Sequence, residues 1–174
     1  MERLRLPRRV EDDPDGARLA SEIAARAEPL WADAEQRAAR TELGEGLAAA
    51  LKSAFSAGRI VRGMEAAERV LALEQQGLEH VDRKTGIDRG LRVSRLLVLA
   101  DDGSERFYRS VASLLRRHAP RVLALRLPLD ECALGRLLFG PDQVARLLLV
   151  EHKDAVSALL LALAAQWRDG EARG

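Results

Sequence analysis

The sequence predicts an α/β protein: a three-layer α/β/α sandwich around a small, mostly parallel or mixed sheet, with a helical extension at its N-terminus. Three observations predict it. Three short apolar runs, residues 96–99, 122–127 and 144–150, are bounded by turn residues, as strands buried on both faces are. Helical patterns of roughly ten to fifteen residues separate them, so their connections are crossovers that lay helices on both faces of a sheet. The chain has 174 residues, 47% apolar and 32% charged, enough for one packed core and too few for several domains.

The elements follow in order. Residues 1–42 read as an N-terminal helical arm: Leu19, Ile23, Ala27, Leu30 and Trp31 recur at helical spacing, and Pro29 kinks or ends the run. Residues 43–168 form the main domain. Leu43, Leu47, Leu51 and Phe55 make one buried helical face, and Gly58 stands where a left-handed C-terminal cap belongs. Ile60 and Val61 are a short extended piece. Gly63 opens a second helix carrying Met64, Ala67, Val70 and Leu71, which is expected to stop near Gly77.

Residues 78–92 are polar and read as a turn-rich loop, with Arg83, Lys84, Arg89 and Arg92 outnumbering Glu79, Asp82 and Asp88 by one charge. The first buried run ends at Asp101, Asp102 and Gly103, which are read as turn and capping residues. Ser104 caps a helix bearing Phe107, Val111, Leu114 and Leu115 and ended by Pro120. Asp130 caps a short helix with Cys132, Leu134, Leu137 and Leu138 inward, closed by Gly140 and Pro141. A last helix over residues 154–167 turns Val156, Leu159, Leu160 and Leu163 inward, and residues 169–174 are expected to be a disordered tail.

Composition excludes several classes. No apolar run approaches the roughly 18 residues of a membrane span, and the start of the chain builds no apolar signal core, which points to the cytoplasm. The single cysteine, Cys132, has no internal partner and is read as a small core residue. His80, His118 and His152 lack the spacing of a metal site, and no phosphate-binding glycine motif is present. No cofactor, small-molecule substrate or catalytic set is therefore expected. Net charge is only +1, but residues 1–50 carry −3 and the remainder +4, an acidic arm on a mildly basic domain. Six aromatic residues are too few for a single-strand stacking platform.

Three local sequences carry a resemblance. The passage Gly58, Arg59, Ile60, Val61, Arg62, Gly63, Met64, Glu65, Ala66, Ala67 resembles the turn that opens the second helix of the kink-turn-binding ribosomal proteins of the L-seven-Ae / L-thirty-e type. The run from Ala133 through Gly135 to Gly140 is similar to the helix before that family's last strand, and the strand ending at Ala100, Asp101, Asp102 is similar to its middle strand. The likeness is closest to bacterial YlxQ-like proteins and the carboxy-terminal half of YlxR fusions, without the cysteine-bearing YlxR module.

The resemblance implies non-catalytic binding of structured RNA, ribosomal or otherwise ribonucleoprotein-associated. Implied contacts are Lys52, Arg59, Arg62, Gly63, Met64 and Glu65 around the turn, and Phe139, Gly140 and Val144 at the loop before the last strand. A helix N-terminus reached through a glycine and bracketed by arginines suits a phosphate. Glu65 and Ala66 stand where archaeal members place Asn and Glu, and Glu65 can accept from a base amine. Arg83, Lys84, Arg89 and Arg92 are an accessory basic loop in this reading. The alternative is a protein-interaction scaffold of the same fold, using residues 1–42 as a docking arm whose removal leaves the domain folded.

Overall fold

The computed structural model describes residues 3–85 and 92–173, the last five residues of the first segment by backbone alone. Along the chain run α1 (Arg8–Glu11), α2 (Leu19–Arg26), β1 (Ala27–Pro29), β2 (Arg37–Arg40), α3 (Glu45–Ser56), β3 (Ile60–Arg62) and α4 (Met64–Thr85). They are followed by β4 (Arg95–Leu99), α5 (Glu105–Arg117), β5 (Val122–Arg126), α6 (Glu131–Phe139), β6 (Leu147–Val150) and α7 (Lys153–Arg173). Six strands join in the order β1-β2-β5-β4-β6-β3. β5 lies parallel to both β2 and β4, whereas β1–β2, β4–β6 and β3–β6 are antiparallel, so the sheet is mixed.

Side chains alternate across this sheet with the period of two that a strand imposes. Leu96, Val98, Leu148 and Val150 point into a core shared with α2, α3, α6 and α7. Leu97, Leu99, Leu147 and Leu149 point into a second core under α4 and α5. All eight are buried, which is why these strands read as unbroken apolar runs rather than as an alternation. Ser104 and Asp130 cap α5 and α6 as expected, accepting from the amides of Phe107 and Ala133 at 3.1 and 2.7 Å.

The stretch read as a helical arm is helical only to Arg26. Pro29 cannot donate an amide to a helix or a central strand, but an edge strand accommodates it, and β1 is an edge. Residues 30–36 turn back, with Leu30 donating to the Gln36 carbonyl at 3.1 Å and Asp33 at φ +67°. Ala38 and Ala39 then bury one small side chain on each face of the sheet. The arm is thus an integral part of the domain, and two of its strands extend the sheet beyond β5.

Three further boundaries, and the exposure of one residue, differ from expectation. α4 runs through Gly77 to Thr85, so residues 78–85 are helix rather than loop; Gly77 is exposed and touches nothing beyond its neighbours, costing only about 1 kcal/mol of propensity. The last strand begins at Leu147, leaving 144–146 in the preceding loop. α7 continues to Arg173, where a disordered tail was expected. Cys132 is exposed, because Leu134 and Leu138 take the inward positions of α6.

Candidate nucleic-acid interface

Two turns build the site. The first closes α3. Gly58, at φ +72°, lets its own amide reach the Phe55 carbonyl at 3.0 Å and the Arg59 amide reach the Ala54 carbonyl at 2.9 Å, which satisfies the helix's last carbonyls. The chain then pairs as β3 along the edge strand's one partner, with Arg62 opposite Leu148. Gly63, at φ +95°, donates to the Leu147 carbonyl at 2.9 Å and turns directly into α4. A Cβ there would meet nothing within 4 Å, so glycine is required by backbone conformation rather than by crowding.

The second turn follows α6. Gly140 at φ +102° and Asp142 at φ +67° reverse the chain, and the Ala145 amide returns to the Glu131 carbonyl at 2.9 Å. Gly135 lets this loop lie against α6, since a Cβ there would collide with the Gln143 carbonyl and the Val144 Cα. Arg62 joins the two turns: it donates to Gln143 Oε1 at 3.1 Å, and its guanidinium lies 4.3 Å from the centre of the Phe139 ring. Phe139 in turn packs edge-on against Phe55 with centroids 5.1 Å apart.

Between the turns lies an open cleft of about 550 Å³. Arg62 and Gly63 form one side, residues 142–146 the other, and Phe107 and Glu131 complete the lining. Of the expected contacts, Arg62, Gly63 and Val144 therefore line one cleft, and Val144 is half exposed beside it. Phe139 backs it through Arg62. Lys52, Arg59, Met64, Glu65 and Gly140 flank the turns without lining the cleft, with Lys52 and Glu65 exposed. Phe107, Glu131, Asp142, Gln143 and Arg146 escape sequence reading because they come from three separate places in the chain and share no spacing.

Ion pairing separates structural arginines from available ones. Asp101 binds Arg40 at 2.8 Å and Arg126 at 2.7 Å, a tether between β2, β5 and the end of β4 rather than a simple turn. Asp102 does cap, accepting from the Glu131 amide at 3.1 Å. Glu74 binds Arg95 at 3.0 Å and Arg121 at 2.7 Å. Arg92, expected in an accessory RNA loop, instead fastens the N-terminal segment through the Leu6 carbonyl at 2.8 Å and Glu11 at 2.9 Å. The side chains of Arg83 and Lys84, and Arg89 entirely, fall outside the described residues. Among the described residues no carboxylate pairs with Lys52, Arg59 or Arg62.

Among the described residues no cluster of three or more His, Cys, Asp or Glu side chains is placed to hold a metal ion. None of their helices is long and apolar enough to cross a membrane. No family model matches the chain, and no curated protein matches it. Among solved structures, a protein of unknown function from Bacillus halodurans aligns with 70% of this chain and 97% of its own, at 17% identity and a TM-score of 0.43.

Proposed function

We propose that this protein binds structured RNA without catalysis, at the edge of the sheet where the Gly58–Ala67 turn meets the loop after α6. One observation carries the reading. The two passages that resemble the kink-turn-binding family meet where the Arg62 guanidinium lies 4.3 Å from the centre of the Phe139 ring, and the loop that follows the second passage joins Arg62 and Gly63 in lining one open cleft. Arg62 lines the cleft and Lys52 and Arg59 flank the turns, and among the described residues none of the three forms an ion pair with a carboxylate. Guanidinium and ammonium groups so placed gain from phosphate by counterion release and bidentate bonding. The N-terminus of α4, entered through Gly63, adds unpaired amides and the positive end of a helix dipole.

A docking role for the arm is less well supported, because Leu6, Val10, Leu19 and Ile23 are buried in the domain's own core and are not available to a partner. Filter binding with a panel of structured RNAs tests the RNA reading. Wild type is expected to bind at low salt with a slope of log affinity against log salt set by on the order of 3–5 phosphates. Arg59→Glu with Arg62→Glu is expected to reduce that slope by about 2 and to weaken every RNA in the panel. Unchanged binding in the double variant, or none by wild type at low salt, overturns it.

A further inference from the structure

Resting on that reading, we propose that the cleft is a base-reading pocket selective for guanine, in which the Asp142 carboxylate accepts the base's N1–H and N2–H donors. The cleft's own charges point away from phosphate. The charged side chains of the lining, Arg62 and Arg146 against Glu131 and Asp142, sum to zero, so the cleft as a whole offers phosphate no net attraction, although the Arg62 guanidinium itself is in no ion pair among the described residues. A neutral, polar cleft of about 550 Å³ with apolar surface from Phe107 and Val144 suits a base.

The two carboxylates are not equivalent. Glu131 is engaged by Arg146 at 3.3 Å. Asp142 is exposed, makes no hydrogen bond or ion pair among the described residues, and stands at the rim on a loop fixed by Gly135 and by the Ala145–Glu131 backbone bond. A carboxylate is an acceptor pair with no donor. Guanine alone among the four bases offers two adjacent donors on its Watson–Crick edge; adenine, cytosine and uracil each offer one beside an acceptor, which a carboxylate repels. Guanine's O6, on the same edge, needs a donor. The Arg146 guanidinium and the Gln143 amide, both in the lining of the same cleft, carry such donors. The same chemistry would admit a free guanine nucleotide, and the test separates the two sources.

The experiment selects filter-retained RNA from a pool of hairpins with randomised loops. Wild type is expected to enrich guanine at one loop position by on the order of tenfold, and Asp142→Asn to remove that enrichment, since an amide presents a donor where the base already has one. Asparagine tolerates the positive φ of Asp142, so the variant should fold, which circular dichroism checks. Retained RNA with no base preference overturns the guanine assignment while leaving RNA binding intact. If no RNA is retained, titration with guanosine, adenosine, cytidine and uridine monophosphates decides. Amide shifts at Gly63 and Val144 with the guanine nucleotide alone would support the pocket without RNA, and equal or absent shifts with all four would overturn it.

Discussion

Glu11 shows how much a single carboxylate can hold. Burial pushes its pKa up, but hydrogen bonds from Arg92, Arg5 and the Leu6 amide outweigh burial and bring it down to about 2. A carboxyl depressed on folding contributes fully above its ordinary value of 4.5, and that contribution is lost as pH falls from there toward about 2. Glu11→Gln is accordingly expected to cost about 1.5–3 kcal/mol at neutral pH and to flatten the acid limb of a denaturant-stability profile below pH 4.5. His118 acts at milder acidity. Burial, then Arg121 and Arg117, lower its pKa below 6.5 against a smaller opposing pull from Glu74. The unfolded chain takes the proton first, so stability falls as pH drops below 6.5. At Gly135 the constraint is steric: Gly135→Ala is expected to displace residues 143–144 and cost on the order of 1–3 kcal/mol, read by thermal melting together with amide shifts confined to the cleft loop.

The elements were legible in proportion to how locally their signals are written. The caps at Ser104 and Asp130, the left-handed Gly58 and the buried runs of β4 and β5 depend on neighbours a few residues away and are legible in the sequence. The hairpin of β1 and β2 did not announce itself, because residues 27–40 are rich in alanine, arginine and glutamate, whose propensities favour helix. Its pairing with β5 is a tertiary contact that propensity does not encode. Gly77 misled in the opposite sense, since one glycine cannot stop a helix whose buried face at Ala67 and Leu71 is already anchored. The hairpin changes what truncation should do. Leu6, Val10, Leu19 and Ile23 each contribute about 1.5–3 kcal/mol of burial, together comparable to the whole stability of a typical domain. A chain beginning at residue 43 is therefore expected to lose cooperative unfolding in urea, whereas an independent arm would leave a sharp transition.

At the scale of the whole molecule, charge and fold divide the labour. The +4 carried beyond residue 50 is too small to attract a polyanion broadly. Several of its cations are also engaged internally, Arg95 and Arg121 by Glu74, Arg126 by Asp101 and Arg92 by Glu11. At one edge stand Lys52, Arg59 and Arg62, none of them in an ion pair among the described residues, the first two beside the turns and the third lining the cleft. The sequence disclosed that edge's turn, through its glycines and arginines, but not the cleft's far wall, which the return of the chain after α6 assembles. The most direct measurement is the salt dependence of RNA affinity for wild type and for Arg59→Glu/Arg62→Glu, by filter binding on one structured RNA. A slope of about −2 to −5 that loses about 2 in the variant is the predicted result. A slope near zero, or one identical in both proteins, would contradict RNA binding at this edge.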